Sequence, residues 1–180
     1  MDKGTNYFTF FNLPVAFTID EQLLKEKYYE NTRNFHPDQY GQDSEEKQAE
    51  MLEFTSLNNA AYKTLKNFNR RVHYILDMHG LVTEGDKHTL PPDFLMEMME
   101  VNEILMEMEF EPDTEKLKAT QTQITAWEND INTRLQQLGT AYDAANDTDK
   151  PALLLQIKEV YHKSKYILRL KESFSTFAAL

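Results

Sequence analysis

A chain of 180 residues carries 30 acidic against 19 basic side chains, a formal net charge of −11, with 41% hydrophobic residues and no cysteine. That composition allows one domain or two small ones around a real core; it argues against a general affinity for nucleic acid or anionic membranes and excludes disulfides, thiolate zinc sites and cysteine-ligated clusters. Met1 to Phe10 have neither the apolar run of a signal peptide nor the arginines of a transit peptide, and no stretch nears the roughly 20 apolar residues of a membrane span, so a soluble, cytoplasmic protein is expected.

The first element is short and aromatic, Tyr7-Phe8-Thr9-Phe10-Phe11-Asn12-Leu13, and Pro14 stops it. Thr18-Ile19-Asp20-Glu21 then matches a capping box, in which the Thr hydroxyl and the Glu carboxylate satisfy open backbone donors at a helix start. The helix that follows has a stripe at Leu24, Tyr28, Asn31 and Phe35. It ends at His36-Pro37, because proline cannot continue a helix and pushes the residue before it out of the helical region. His36-Pro37-Asp38 sets an imidazole and a carboxylate about a fixed bend at the tip of a helical hairpin, within reach of a partner protein. Taken alone, the tripeptide is equally an ordinary helix end.

A polar loop leads to a third helix, about Ser44 to Asn67, whose expected buried face is Leu52, Leu57, Ala60, Ala61 and Leu65. The pair Ala60-Ala61 suits close helix contact. A fourth, short helix carries Val72, Tyr74, Ile75 and Leu76 and stops near Gly80. Val82 to Pro92, with Gly85 and Pro91-Pro92 and no periodicity, reads as a linker. The expected domains are therefore residues 1–80 and 93–180, joined by 81–92. Three more helices follow: Asp93 to about Glu109, a second from Pro112 with Leu117, Ile124, Ile131 and Leu138, and a third from near Pro151 with Leu154, Ile157, Tyr161 and Leu168. No segment alternates as a strand does. The fold class is all-α, a helical hairpin domain followed by a three-helix bundle.

Catalytic constellations are missing. The histidines His36, His73, His79, His88 and His162 have no spacing that gathers them into a metal site, and there is no phosphate loop or nucleophile motif. No cofactor is expected. The helix from Asp93 stands apart. At 100° per residue, Phe94, Met98, Val101, Leu105 and Met108 fill one narrow sector and make a complete core stripe. Leu95, Met96, Met99 and Met106 fall on the other side, interleaved with Glu100, Glu103 and Glu107. Burying those glutamates unpaired would be costly. A second apolar face rich in methionine, which adapts to irregular surfaces, reads as a contact surface.

The short aromatic helix, the capped second helix, His36-Pro37-Asp38, Asn59-Ala60-Ala61-Tyr62-Lys63-Thr64-Leu65 and Arg70-Arg71-Val72-His73-Tyr74-Ile75-Leu76 together resemble a J-domain of the DnaJ kind. Pro92-Asp93-Phe94-Leu95-Met96-Glu97, running on through Met99-Glu100, narrows the resemblance to the HscB family, and Tyr7 to Pro14 is similar to that family as well. The resemblance implies a J-type co-chaperone of iron–sulfur cluster assembly and no enzyme in its own right. Such a protein binds an IscU-type scaffold through its C-terminal domain. It delivers the scaffold to a specialised DnaK/HscA-type chaperone and stimulates that chaperone's ATPase. The resemblance implies that His36, Pro37 and Asp38, with Lys25, Lys27 and Arg33 on the second helix, meet the chaperone. It implies that Leu95, Met96, Met99, Glu100, Glu103 and Tyr166 meet the scaffold. Two departures stand out: Gln39 follows the tripeptide where J-domains usually carry lysine, and the second helix mixes Lys25, Lys27 and Arg33 with Asp20, Glu21, Glu26 and Glu30. Charge steering toward the chaperone is correspondingly weak. The alternative is a general DnaJ-like co-chaperone for unfolded clients, which would bind several denatured proteins through a broad apolar groove.

Overall fold

The computed structural model describes residues 6–83, 89–111 and 113–177, and its regular structure among them is helical, without a strand. The chain divides into two compact units, Met1–His79 and Gly80–Leu180. His88, Gly85 and the remainder of 84–88 within the expected linker, and Pro112, lie outside the described residues.

The first unit opens on α1 (Tyr7–Phe10), closed by a capping box that the sequence pattern did not announce: Asn6 accepts from the Phe8 and Thr9 amides, and Thr9 answers the Asn6 backbone. Short as it is, α1 buries Phe8 completely. The Tyr7 amide, one of the open donors of that first turn, donates to the Tyr74 hydroxyl at 2.9 Å, and the two rings stack 4.5 Å apart. Tyr74→Phe removes that acceptor and should cost about 1 kcal/mol in a denaturant melt. Burial raises the Tyr74 phenol above its ordinary 10.0. Its contribution is therefore present below the unfolded phenol's range and lost as pH rises through the raised value. The Phe variant should show a shallower alkaline loss of stability.

Helix α2 (Glu21–Asn34) starts two residues later than a Thr18 cap requires. Asp20 is the cap, its carboxylate accepting from Gln22 at 2.9 Å and Leu23 at 3.0 Å. An aspartate directly before the first helical residue reaches both amides itself. The stripe holds: Leu24 is fully buried and Tyr28, Asn31 and Phe35 are half-buried. Helix α3 (Glu45–Lys66), capped by Ser44, lies against α2. Its buried face differs from the expected one. Leu65 and Ala61 are buried, but Leu52 and Ala60 are exposed and Leu57 is half-buried; Met51, half-buried Phe54 and Asn58 complete the face. The true spacing, 51, 54, 58, 61, 65, is regular, and a polar residue at its centre hid it.

Asn58 is buried because every part of its carboxamide is used. Its nitrogen donates to the Tyr28 carbonyl and the Thr32 hydroxyl, and its oxygen accepts from Asn31, all at 3.2 Å. The Tyr28 hydroxyl donates to Asn59 on α3. Tyr28 stacks on Tyr62 at 4.1 Å and Phe35 meets Phe54 at 4.3 Å. Helix α4 (Phe68–Met78) packs on α3, burying Val72, Ile75 and Leu76. Its Arg71 is buried too, donating to the carbonyls of Phe17 and Leu65. Beyond α4, Gly80 takes φ +65°, the left-handed turn that ends helices and that glycine adopts without steric cost.

In the second unit, α6 (Thr114–Ala144) and α7 (Lys150–Phe177) form a long antiparallel hairpin, and α5 (Pro92–Phe110) lies against α7. Asp113 caps α6, accepting from the Glu115 and Lys116 amides. The heptad positions Ile124, Ile131 and Leu138 are buried with Leu135, while Leu117 is half-buried. The hairpin loop is tied by Asn146, which accepts from Thr148 and Asp149. Lys171 and Glu128 pair across the helices at 2.6 Å. Leu154, Ile157 and Tyr161 of α7 are buried as expected, but Leu168 is exposed, and Ile167, Leu170 and Phe174 are buried. The buried side turns around α7 along its length, as suits a helix that touches both α5 and α6.

Candidate functional site

The site residues singled out in the sequence fall on two surfaces, one on each unit. In the first unit the backbone leaves α2 at Phe35, and His36 caps a single 3-10 turn, Pro37–Tyr40. Proline at the first position of that turn gives up no needed donor. The His36 Nδ1 accepts from the Asp38 amide at 3.3 Å and lies 3.6 Å from Asp38 Oδ2. The His36 side chain is about half exposed, so the outer edge of its ring is open to a partner. The Asp38 side chain is 90% exposed, so its carboxylate is solvated and available.

The residues just past the tripeptide fold back. Gln39 Nε2 donates to the Arg33 carbonyl at 2.8 Å, and the Tyr40 hydroxyl donates to the Asn34 carbonyl at 3.0 Å. From α3, the Thr55 hydroxyl donates to the Phe35 carbonyl at 3.3 Å. The three basic residues of α2 do not gather into one patch. Lys25 lines a groove with Tyr29, Tyr62 and Lys66. Lys27 is half-buried on the opposite flank, about 160° around the helix from Lys25, and Arg33 is exposed on the outer side.

On the second unit, α5 buries Met98, Val101, Leu105 and Met108. Phe94, expected in the core, is half-buried at the start of the stripe, its ring edge-on to Tyr166 at 5.9 Å. Exposed are Met96 (63%), Met99 (59%), Met106 (67%) and Phe110 (88%), with Glu100 and Glu103 among them. Leu95 differs from the expectation of a fully exposed residue. It is half-buried, because at about 100° from Phe94 it sits on the flank beside half-buried Asn102. Tyr166, itself half-buried, reaches this end of α5 through Phe94. Glu107 pairs with Lys116 at 2.7 Å, raising that ammonium above its ordinary value. Among the described residues no group of His, Asp or Glu could hold a metal ion, and no helix is long and apolar enough to cross a membrane.

The co-chaperone protein HscB of Proteus mirabilis is 31% identical to the chain over 169 residues, which is 93% of this chain and 92% of that one. The chain belongs to the HscB family. A second HscB homologue, from Neisseria meningitidis, is 40% identical over 123 residues, 67% of this chain and 73% of its own. The solved chaperone HscB of Vibrio cholerae superposes with a TM-score of 0.70 at 29% identity, covering 96% of each chain. Human co-chaperone HscB shares the fold, with a TM-score of 0.76 at 24% identity over 98% of this chain and 83% of its own. The family model described as the HSCB C-terminal oligomerisation domain matches residues 90–175. Those residues hold α5, α6 and nearly all of α7, so the exposed methionine face lies within the matched region.

Sequence reasoning missed Phe110 because the expected helix stopped at Glu109. At about 160° from Phe94 it falls between Met99 and Met96 on the same exposed side. Gln39 was legible only as a departure from a pattern, and nothing in the sequence announced that it and Tyr40 bond back to α2. Thr55, half-buried on α3, carried no signal at all.

Proposed function

We propose that this HscB-family chain is an adaptor that holds an IscU-type iron–sulfur scaffold and presents it to a DnaK/HscA-type chaperone whose ATPase it stimulates. In this reading residues 1–80 are the J-domain and act through His36, Pro37 and Asp38. Residues 93–180 bind the scaffold through Met96, Met99, Glu100 and Glu103, with Leu95 and Tyr166 at the edge. The observation that carries the proposal is the second face of α5: four large apolar side chains exposed opposite a complete core stripe. A monomer gains nothing from such a face, and contiguous exposed apolar surface marks a contact. The exposed carboxylates of Glu100 and Glu103 beside it favour a partner with basic groups at its rim.

The chain catalyses nothing itself. Its J-domain must bind the hydrolysis-competent state of the chaperone better than the resting state, since a ligand shifts an equilibrium only by its differential affinity. Carrying both partners on one chain makes their encounter intramolecular. The place of action is the cytoplasm. Calorimetric titration with a purified IscU-type scaffold, beside titration with reduced and unfolded proteins, decides between this reading and a general co-chaperone. Saturable binding to the folded scaffold alone is the expected result. Comparable binding to several unfolded chains would replace it with the general co-chaperone.

A further inference from the structure

The last carbonyls of an α-helix have no intrahelical partner and are ordinarily left to water. At the end of α2 the carbonyls of three consecutive residues, Arg33, Asn34 and Phe35, each accept a side-chain hydrogen bond from a different residue. Two donors, Gln39 and Tyr40, stand immediately after His36-Pro37-Asp38. The third, Thr55, stands on α3. The Gln39 and Tyr40 bonds each span six residues, so they close the tripeptide into a small ring anchored at both ends to the same helix terminus. Inside that ring the Gln39 amide donates to the His36 carbonyl at 3.0 Å. Thr55 fastens the terminus to the neighbouring helix.

We propose that Gln39, Tyr40 and Thr55 form a clasp that holds His36-Pro37-Asp38 in the conformation the chaperone binds, and that they are positioning residues for ATPase stimulation. The inference rests on the J-domain reading above. A turn that visits its binding conformation part of the time binds with an affinity reduced by that fraction, while the bound complex is unchanged. The clasp raises the fraction. It also explains a neutral residue at 39: its amide is spent on the Arg33 carbonyl, so the position contributes geometry where a cation would contribute charge.

The test is the full chain with Gln39→Met, Tyr40→Phe and Thr55→Val together, each removing a donor with little change in size. Nitrogen-15 relaxation at Asp38 and Gln39 should fall from rigid order parameters, about 0.85, toward the flexible range below about 0.6. In a titration against a purified DnaK-type chaperone, the half-saturating concentration should rise roughly tenfold with maximal stimulation unchanged. Thr55→Ser, which keeps the hydroxyl, should follow the wild-type curve. Tyr40→Phe alone, a single-hydroxyl change at the surface, should move the curve the same way by a smaller factor, and serves if the triple variant folds poorly. Unchanged order parameters overturn the clasp whatever the ATPase does. A loosened turn with an unshifted titration curve overturns its role in presentation. A wild-type chain that gives no stimulation at all overturns the J-domain reading instead, and the relaxation data, which need no chaperone, tell that case apart.

Discussion

Replacing His36-Pro37-Asp38 with three alanines is expected to bring the chaperone's ATPase back to its unstimulated rate while the chain stays folded and loses no more than about 2 kcal/mol, the upper range for a lost cap. The exposure of the turn accounts for the small change in stability. Asp38 is almost fully solvated, and no hydrogen bond from the His36 or Asp38 side chain reaches beyond the turn among the described residues. Core packing under the turn comes from Phe35 and Phe54, which the substitution leaves alone. Steady-state ATPase at saturating co-chaperone and a thermal melt check the pair. Retained stimulation would sink the assignment of the tripeptide. The signature also differs from that of a loosened clasp: the alanine variant loses the maximum, whereas the clasp variant needs more protein to reach it.

The second large effect separates two sets of residues that alternate along one helix. Met98 and Leu105 are buried in the α5 stripe, and alanine at either should cost roughly 2–5 kcal/mol, the range for large-to-small core changes. Met96 and Met99, each more than half exposed, should leave the melting temperature nearly unchanged when both become alanine. Scaffold affinity should fall by at least tenfold, since anchor residues each contribute upwards of about 1 kcal/mol. Leu95, half-buried, belongs in a separate variant expected to lose both stability and affinity. Phe94→Ala should cost less than Met98→Ala, because its ring is only partly covered. Thermal melts and calorimetric titration on the same samples decide it. Early melting of the Met96/Met99 variant would mean that this face is covered by the protein itself.

Much of this architecture could be read from one-dimensional pattern. The α5 wheel separated core from surface correctly at Met98, Val101, Leu105 and Met108, because a helix with two apolar faces must bury one and expose the other. Where reading failed, a polar residue had taken a structural part. Asn58 sits at the centre of the α3 face, and hydropathy alone cannot anticipate that its carboxamide is satisfied across the interface. Leu168 failed for another reason. A fixed heptad assumes one neighbouring helix, and α7 has two. The family resemblance pointed to His36, Pro37 and Asp38, but Gln39, Tyr40 and Thr55 bond to backbone carbonyls, which any sequence supplies and no composition reveals.

The buried amide between α2 and α3 has a consequence for how the hairpin keeps time with its own tip. Stacked rings such as Tyr28 on Tyr62 tolerate sliding, since one turn's displacement can bring other apolar atoms into contact. Asn58 does not: its partners on α2 are Tyr28, Asn31 and Thr32, and any slip would strand its own buried carboxamide without them. The amide therefore works as an index mark that fixes how far α2 projects beyond α3, and with it the height at which the turn is offered. An apolar side chain at position 58 could match or exceed it in stability and still blunt the protein, leaving a firmer hairpin whose working end no longer stands at one defined place.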